Sequence, residues 1–151
     1  MRVLLQRVLS GKVTVYGKLA GEIGKGYVLF AGSKKEDGER EADVLAEKIV
    51  NLRVMSDENG KMGKSILDTG GEILVVSQFT LYANLKEGRR PSFINVAKPE
   101  TANKLYRYFI DKLRKLGVKN VQTGMFGAYM TVRIVNDGPV TIIIDSKEMN
   151  E

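Results

Sequence analysis

Cysteine, histidine and tryptophan are all missing from this 151-residue chain. Their absence removes disulfides, thiolate nucleophiles and zinc sites built on Cys or His. It also rules out a Ser-His-Asp relay. Any catalysis therefore has to come from hydroxyls, amides, carboxylates, lysines, backbone groups or the substrate itself. Long hydrophobic runs are absent too: those at Ile73 to Val76 and Val140 to Ile144 break within a few residues, which leaves nothing able to span a bilayer. At the start, Gln6 and Arg7 cut short the apolar Met1 to Leu5, and no cleavage site follows. That pattern argues against a signal peptide and for a cytoplasmic protein. No repeat of fixed period is visible.

Positive charge is in excess. Lys and Arg number 24 against 18 Asp and Glu, a formal charge of +6, which favours a polyanionic partner without proving one. The length suits one domain over residues 1–151, with enough chain to bury a real core.

Met1 to Leu9 alternates, and Ser10-Gly11 leads into Lys12 to Tyr16, so this stretch reads as a hairpin of two short strands. The spacing Gly21-x-x-Gly24-x-Gly26 precedes the apolar Tyr27 to Gly32 and does not open a helix, so its glycines read as hairpin turns and not as a phosphate loop. Glu39 to Leu52 places Ala42, Leu45, Ala46, Ile49 and Leu52 on one helical face. Its early acids, Glu39, Glu41 and Asp43, suit the positive end of the helix dipole. Asn59-Gly60 predicts a tight hairpin after a brief strand at Arg53 to Met55.

A second helix starts at Pro99 and runs from Glu100 to Leu116, with Gly117 to stop it. Ala102, Leu105, Tyr106, Phe109, Leu113 and Leu116 share its apolar face. The opposite face carries Lys104, Arg107, Asp111, Arg114 and Lys115, and either is solvated or touches an RNA backbone. Strands are expected at Val118 to Gln122, Tyr129 to Val135 and Val140 to Asp145, with Asn136-Asp137-Gly138-Pro139 as a stiff turn between the last two.

Two stretches hold the chemistry. In Glu72 to Tyr82, a buried-strand run of aliphatics ends in Ser77-Gln78-Phe79-Thr80, which is either an outward alternation or a set of groups held rigidly at a strand end. The second is the loop Lys86-Glu87-Gly88-Arg89-Arg90-Pro91-Ser92-Phe93, either a solvated connection or a phosphate grip.

Ser77-Gln78-Phe79-Thr80-Leu81 followed by Asn136-Asp137-Gly138-Pro139-Val140-Thr141, in a chain of this length, resembles the D-aminoacyl-tRNA deacylases, formerly D-tyrosyl-tRNA deacylases. The opening Met-Arg-Val-Leu-Leu-Gln-Arg-Val, the Gly-Arg-Arg-Pro-Ser-Phe loop and Thr123 to Met130 extend the resemblance over essentially the whole chain. It implies an α+β fold with a compact barrel-like β-sheet core and two flanking helices, homodimeric with active sites at the subunit interface. It further implies hydrolysis of the ester of D-aminoacyl-tRNA, and of glycine misattached to alanine tRNA, with no metal or other cofactor. Gly138 and Pro139, joined by a cis bond, would project into the partner's site and reject L side chains with their carbonyl oxygens.

Residue roles follow from the same resemblance. Thr80 and Phe79 would stand at the catalytic centre, Ser77 and Gln78 would shape the pocket, and Phe126 would pack on the adenine. Met130 would line the wall, and Arg7 would hold the cross-subunit Gly-Pro loop. Taken without the family, Phe126 and Met130 read as core residues and Arg7 as a surface ion pair. A Thr80 nucleophile needs a base that the motif does not supply. Water activated with help from the terminal ribose 2′-hydroxyl, with backbone amides near Phe79 and Thr80 stabilising the oxyanion, needs no missing residue. Two alternatives stay open: an esterase or amidase with Thr80 as nucleophile, and a non-enzymatic RNA-binding module.

Overall fold

One strand, β1 (Arg2–Val15), sets the architecture of the computed structural model, which describes residues 1–149. Asn150 and Glu151 of the expected single domain lie outside the described residues. The expected hairpin at Ser10-Gly11 does not form, because β1 runs straight through it. Gly11 pairs with Ile23 on one edge and Ile134 on the other. Its lack of a side chain serves packing, since an added Cβ would stand 2.6 Å from Val28 Cγ2. The chain turns later, at Tyr16 and Gly17, where φ is 49° and 76°, as a two-residue hairpin requires.

β2 (Lys18–Ile23) and β3 (Gly26–Gly32) follow that turn in one continuous register along the same edge of β1, from Val13↔Gly21 through Val8↔Gly26 to Arg2↔Gly32. The glycines of this segment are therefore not hairpin turns, as the sequence suggested. Gly21 instead leaves room for the Thr123 carbonyl, 2.6 Å from where its Cβ would be, and Gly26 lets the Glu72 backbone approach.

The other edge of β1 takes β8 (Thr131–Asp145), paired from Arg2↔Asp145 to Thr14↔Thr131. A hairpin between two strands was expected at Asn136 to Pro139. The structure shows one strand with a bulge, in which Asp137, Gly138, Pro139 and Val140 stand opposite Arg7 alone, between the pairs Gln6↔Thr141 and Val8↔Asn136. Extra residues of this kind re-aim the main chain while pairing continues on both sides.

β6 (Glu72–Ser77) lies parallel to β3, and β7 (Val121–Thr123) parallel to β6. The sheet curls so that β2 meets β6 and β7, which gives the barrel-like core of an α+β fold. Strands buried on both faces read as unbroken apolar runs, and β3 and β6 do. Tyr27, Leu29, Ile73 and Val75 pack toward the helices, whereas Val28, Leu74 and Val76 join Val8, Val13 and Ile23 in a second core inside the curl.

The helices α1 (Glu39–Asn51) and α3 (Pro99–Lys115) bury the faces their periodicity predicts, with Leu45, Ile49, Phe109 and Leu113 fully enclosed. α2 (Ile66–Thr69) is a single turn capped by Ser65. The Asn59-Gly60 hairpin joins β4 (Met55–Ser56) to β5 (Met62–Lys64), with Gly60 at φ 73°. No helix among the described residues is long and apolar enough to cross a membrane.

Candidate active site

β6 holds the first group of residues. Ile73 to Val76 are at most 1% exposed, so the strand end is fixed from below by the core. It leaves the sheet at Ser77, earlier than an alternation to Tyr82 requires. Gln78 N–H still donates to Ala31 O at 2.8 Å, and Phe79 to Tyr82 then wind into a 3-10 turn. The approach depends on Gly32, because a Cβ there would lie 2.6 Å from the Gln78 carbonyl oxygen.

Leu81 N–H closes the turn on Gln78 O at 3.3 Å, and Ala83 N–H donates to Thr80 O at 3.1 Å. The N–H groups of Phe79 and Thr80, first in the turn, take no hydrogen-bond acceptor among the described residues. Thr80 is exposed, and its Oγ1 accepts from Gln78 Nε2.

Ser77, Gln78 and Phe79 line a cavity of about 650 Å³ together with Phe126 and Met130. Met130 reaches this position across Gly124, where a Cβ would meet its Sδ at 2.6 Å. Three further lining residues were not singled out from the sequence. Tyr106 of α3 donates its hydroxyl to Val75 O at 2.7 Å, and burial pushes that phenol up to about 12. It lies 5.8 Å, ring to ring, from Phe126. Phe93 stands edge-on to Phe79 at 4.9 Å, carried there by the 85–91 loop, whose base is tied by the reciprocal bonds of Asn84 and Ser92. Tyr129 also lines the cavity and is 85% exposed. Tyr106 looked like helix core and Phe93 like loop, so only their convergence in space reveals them.

The second group is elsewhere in the chain. Arg7 is buried, donating from Nη1 to Val54 O at 2.7 Å and from Nε to Asp137 O at 3.1 Å, with the Asp137 carboxylate 3.4 Å away. It clamps the β8 bulge from beneath and is not a surface ion pair. The bulge itself is exposed: the Gly138–Pro139 bond is cis, and Gly138 has φ 126°, a value that L side chains rarely adopt. Neither residue lines the cavity of its own chain.

A family model for D-Tyr-tRNA(Tyr) deacylase matches residues 4–145. The chain belongs to that family. It is 53% identical to the D-aminoacyl-tRNA deacylase of Symbiobacterium thermophilum, over 98% of this chain and 97% of that one. It is 55% identical to the D-aminoacyl-tRNA deacylase of Bacillus velezensis, over 98% and 100%. Among solved structures, the c-Myc DNA Unwinding Element Binding Protein superposes with a TM-score of 0.91 at 42% identity, over 96% of this chain and 98% of that one. A structure described as "a probable eukaryotic D-amino acid tRNA deacylase" shares the fold, with a TM-score of 0.85 at 18% identity over 95% and 98%.

In this D-Tyr-tRNA(Tyr) deacylase family member, the cavity is lined by the rings of Phe79, Phe93, Tyr106, Phe126 and Tyr129, with two N–H groups free among the described residues at the turn that starts with Phe79. It holds no histidine or cysteine. Thr80 has a hydrogen-bond donor as its partner, and an amide N–H cannot take the proton a nucleophilic hydroxyl must lose.

Proposed function

We propose that the chain hydrolyses the ester between a D-amino acid, or glycine, and the terminal adenosine of tRNA, acting in the cytoplasm as a homodimer. The observation that carries the reading is the cavity that Ser77, Gln78, Phe79, Phe126 and Met130 line together, in a chain whose family match spans residues 4–145.

Phe126 offers its ring to the adenine, and Met130 lines the wall beside it. The amides of Phe79 and Thr80 face the developing oxyanion, where donors already in place need no reorganisation as charge builds. Water attacks the ester carbon with help from the ribose 2′-hydroxyl. The bond to the ribose oxygen then breaks, and that oxygen takes the proton the water gives up. Ser77 and Gln78 orient the ester, and Gln78 also fixes Thr80, which acts by position.

Selectivity comes from the partner. The exposed Gly138 and Pro139 of one subunit enter the other's cavity, and their carbonyl oxygens fill the volume an L side chain needs. A D side chain points away, and glycine has nothing to clash, so both are accepted. Dimerisation has support in the outer edge of β8, which pairs with no strand among the described residues, and in the apolar Val135 and Ile143, 52% and 67% exposed on that strand.

The deciding experiment incubates the protein with D- and L-aminoacyl-tRNA carrying the same amino acid. Rapid loss of the D ester with survival of the L ester is expected. Equal persistence of both would leave only an RNA-binding module. A covalent adduct trapped on Thr80, with cleavage retained on substrate lacking the 2′-hydroxyl, would replace the water mechanism with a threonine nucleophile.

A further inference from the structure

A second groove, of about 450 Å³, lies beside the cavity and shares Tyr106 and Phe126 with it as a common wall. Its far side is the charged face of α3, with Asn103, Arg107, Asp111 and Arg114 lining it. Arg114 is locked in place, donating from Nη2 to Val121 O at 3.0 Å and from Nη1 to Asp111 Oδ1 at 3.3 Å. The Arg107 guanidinium has no hydrogen bond or ion pair among the described residues. Two guanidinium groups against one carboxylate leave the groove with a net positive charge and one complete donor fork uncommitted. The side-chain oxygen of Asn103 is buried there without a partner, an acceptor suited to a ribose hydroxyl next to the phosphate and not to the phosphate itself.

We propose that this groove binds the phosphodiester linking the terminal adenosine to the preceding nucleotide of the RNA 3′ end, with Arg107 as its principal contact. The inference rests on the function proposed above. If the adenine packs on one side of Phe126, the chain must continue past that ring, and the groove begins on its other side. A fixed cation next to a free planar fork suits a phosphate oxygen pair. The exposed Arg89-Arg90 loop is the competing exit, and neither arginine lines the cavity or the groove.

The test compares cleavage of D-aminoacyl-tRNA with cleavage of the D-aminoacyl ester of adenosine, which lacks the phosphodiester. It also measures binding of a cytidine-cytidine-adenosine trinucleotide against salt. Arg107→Ala should lower the ratio of kcat/KM for tRNA over adenosine ester about tenfold, as expected for one charge-assisted contact. It should reduce the salt slope of trinucleotide binding by about 0.7, the value for one phosphate contact on a single strand. Arg107 makes no hydrogen bond or ion pair among the described residues, so an unchanged Tm serves as the control.

An unchanged ratio and slope would overturn the proposal. So would losses produced by Arg89→Ala and Arg90→Ala but not by Arg107→Ala, which would assign the exit to the loop. If the unmodified protein cleaves neither ester yet Arg107→Ala still lowers the trinucleotide salt slope, the subsite stands and the deacylase reading falls.

Discussion

The two motifs of this chain are held by opposite means. Ser77 to Thr80 stand at the end of β6, whose Leu74 and Val76 pack in one core and Ile73 and Val75 in another. Asp137 to Val140 bulge from a sheet-edge strand, and the Arg7 side chain ties them down at Asp137. The cavity motif therefore inherits its geometry from the whole fold, while the bulge depends on a few bonds. Changes to the first should be read in global stability, and changes to the second in handedness.

The largest effect belongs to the cavity side. Leu74 is fully buried and packs near Gly11 and Gly21, so Leu74→Ala leaves a void where the curled sheet is tightest. Such a change costs about 2–5 kcal/mol. In a chain of this size each kcal/mol lowers Tm by about 2–4 °C. Calorimetry should show the loss, while the ratio of D to L cleavage stays as it was. A Leu74→Ala protein of normal Tm but lost handedness would contradict the division.

Arg7→Ala comes next. It orphans the buried Val54 carbonyl, at about 1–3 kcal/mol, and releases Asp137. The Tm should fall less than for Leu74→Ala. The selectivity should fall more, read as faster cleavage of L-aminoacyl-tRNA relative to D. Loss of stability with full selectivity would show that the bulge holds its shape without the clamp.

Gly138→Ala should have a smaller effect on stability and a clear one on function. At φ 126° a Cβ is strained by about 1–3 kcal/mol, and it would stand 3.1 Å from Val140 N and 3.2 Å from Arg7 Nη2. Because the proposed site takes its cavity from one subunit and its bulge from the other, mixing this variant with a cavity variant such as Phe79→Ala is informative. In a two-fold dimer each mixed pair carries one intact site, so random exchange of equal amounts should make about a quarter of all sites intact and raise selective D-ester cleavage above the average of the two variants measured alone. No recovery after subunit exchange would sink the cross-subunit site while leaving the deacylase activity untouched.

The same contrast explains what the sequence made legible. The helix faces could be read because a 3.6-residue period survives any packing partner, and Leu45, Ile49, Phe109 and Leu113 are where it puts them. Asn59-Gly60 could be read because its φ is a local demand. Gly11 could not: its reason is Val28, a residue 17 positions away, and a glycine kept for close approach looks in sequence like a glycine kept for a turn. Asn136 to Pro139 has turn chemistry, and only the pairing with β1 on both sides shows it to be a bulge. At the cavity, Ser77, Gln78 and Thr80 were visible as polar groups breaking an apolar run. Tyr106 was hidden because its ring belongs to the helix core and only its hydroxyl, bonded to Val75 O, belongs to the strand below the site.

The smallest effect lies away from both motifs and bears on the scaffold they share. At the start of α1 the Glu41 carboxylate accepts the Gly38 N–H at 2.8 Å, and that bond holds its pKa below the ordinary 4.5. A carboxyl lowered on folding stabilises the native state fully above its unfolded pKa, and the contribution disappears as pH falls through the folded one. Glu41→Gln keeps an acceptor for Gly38 but cannot titrate. Melting curves from neutral pH down to about pH 3 should therefore show the unmodified protein more stable above the usual carboxylate range, with the gap to Glu41→Gln closing below it. A gap that stays constant across the range would mean that the charge at this helix start contributes nothing to holding the sheet beneath the cavity.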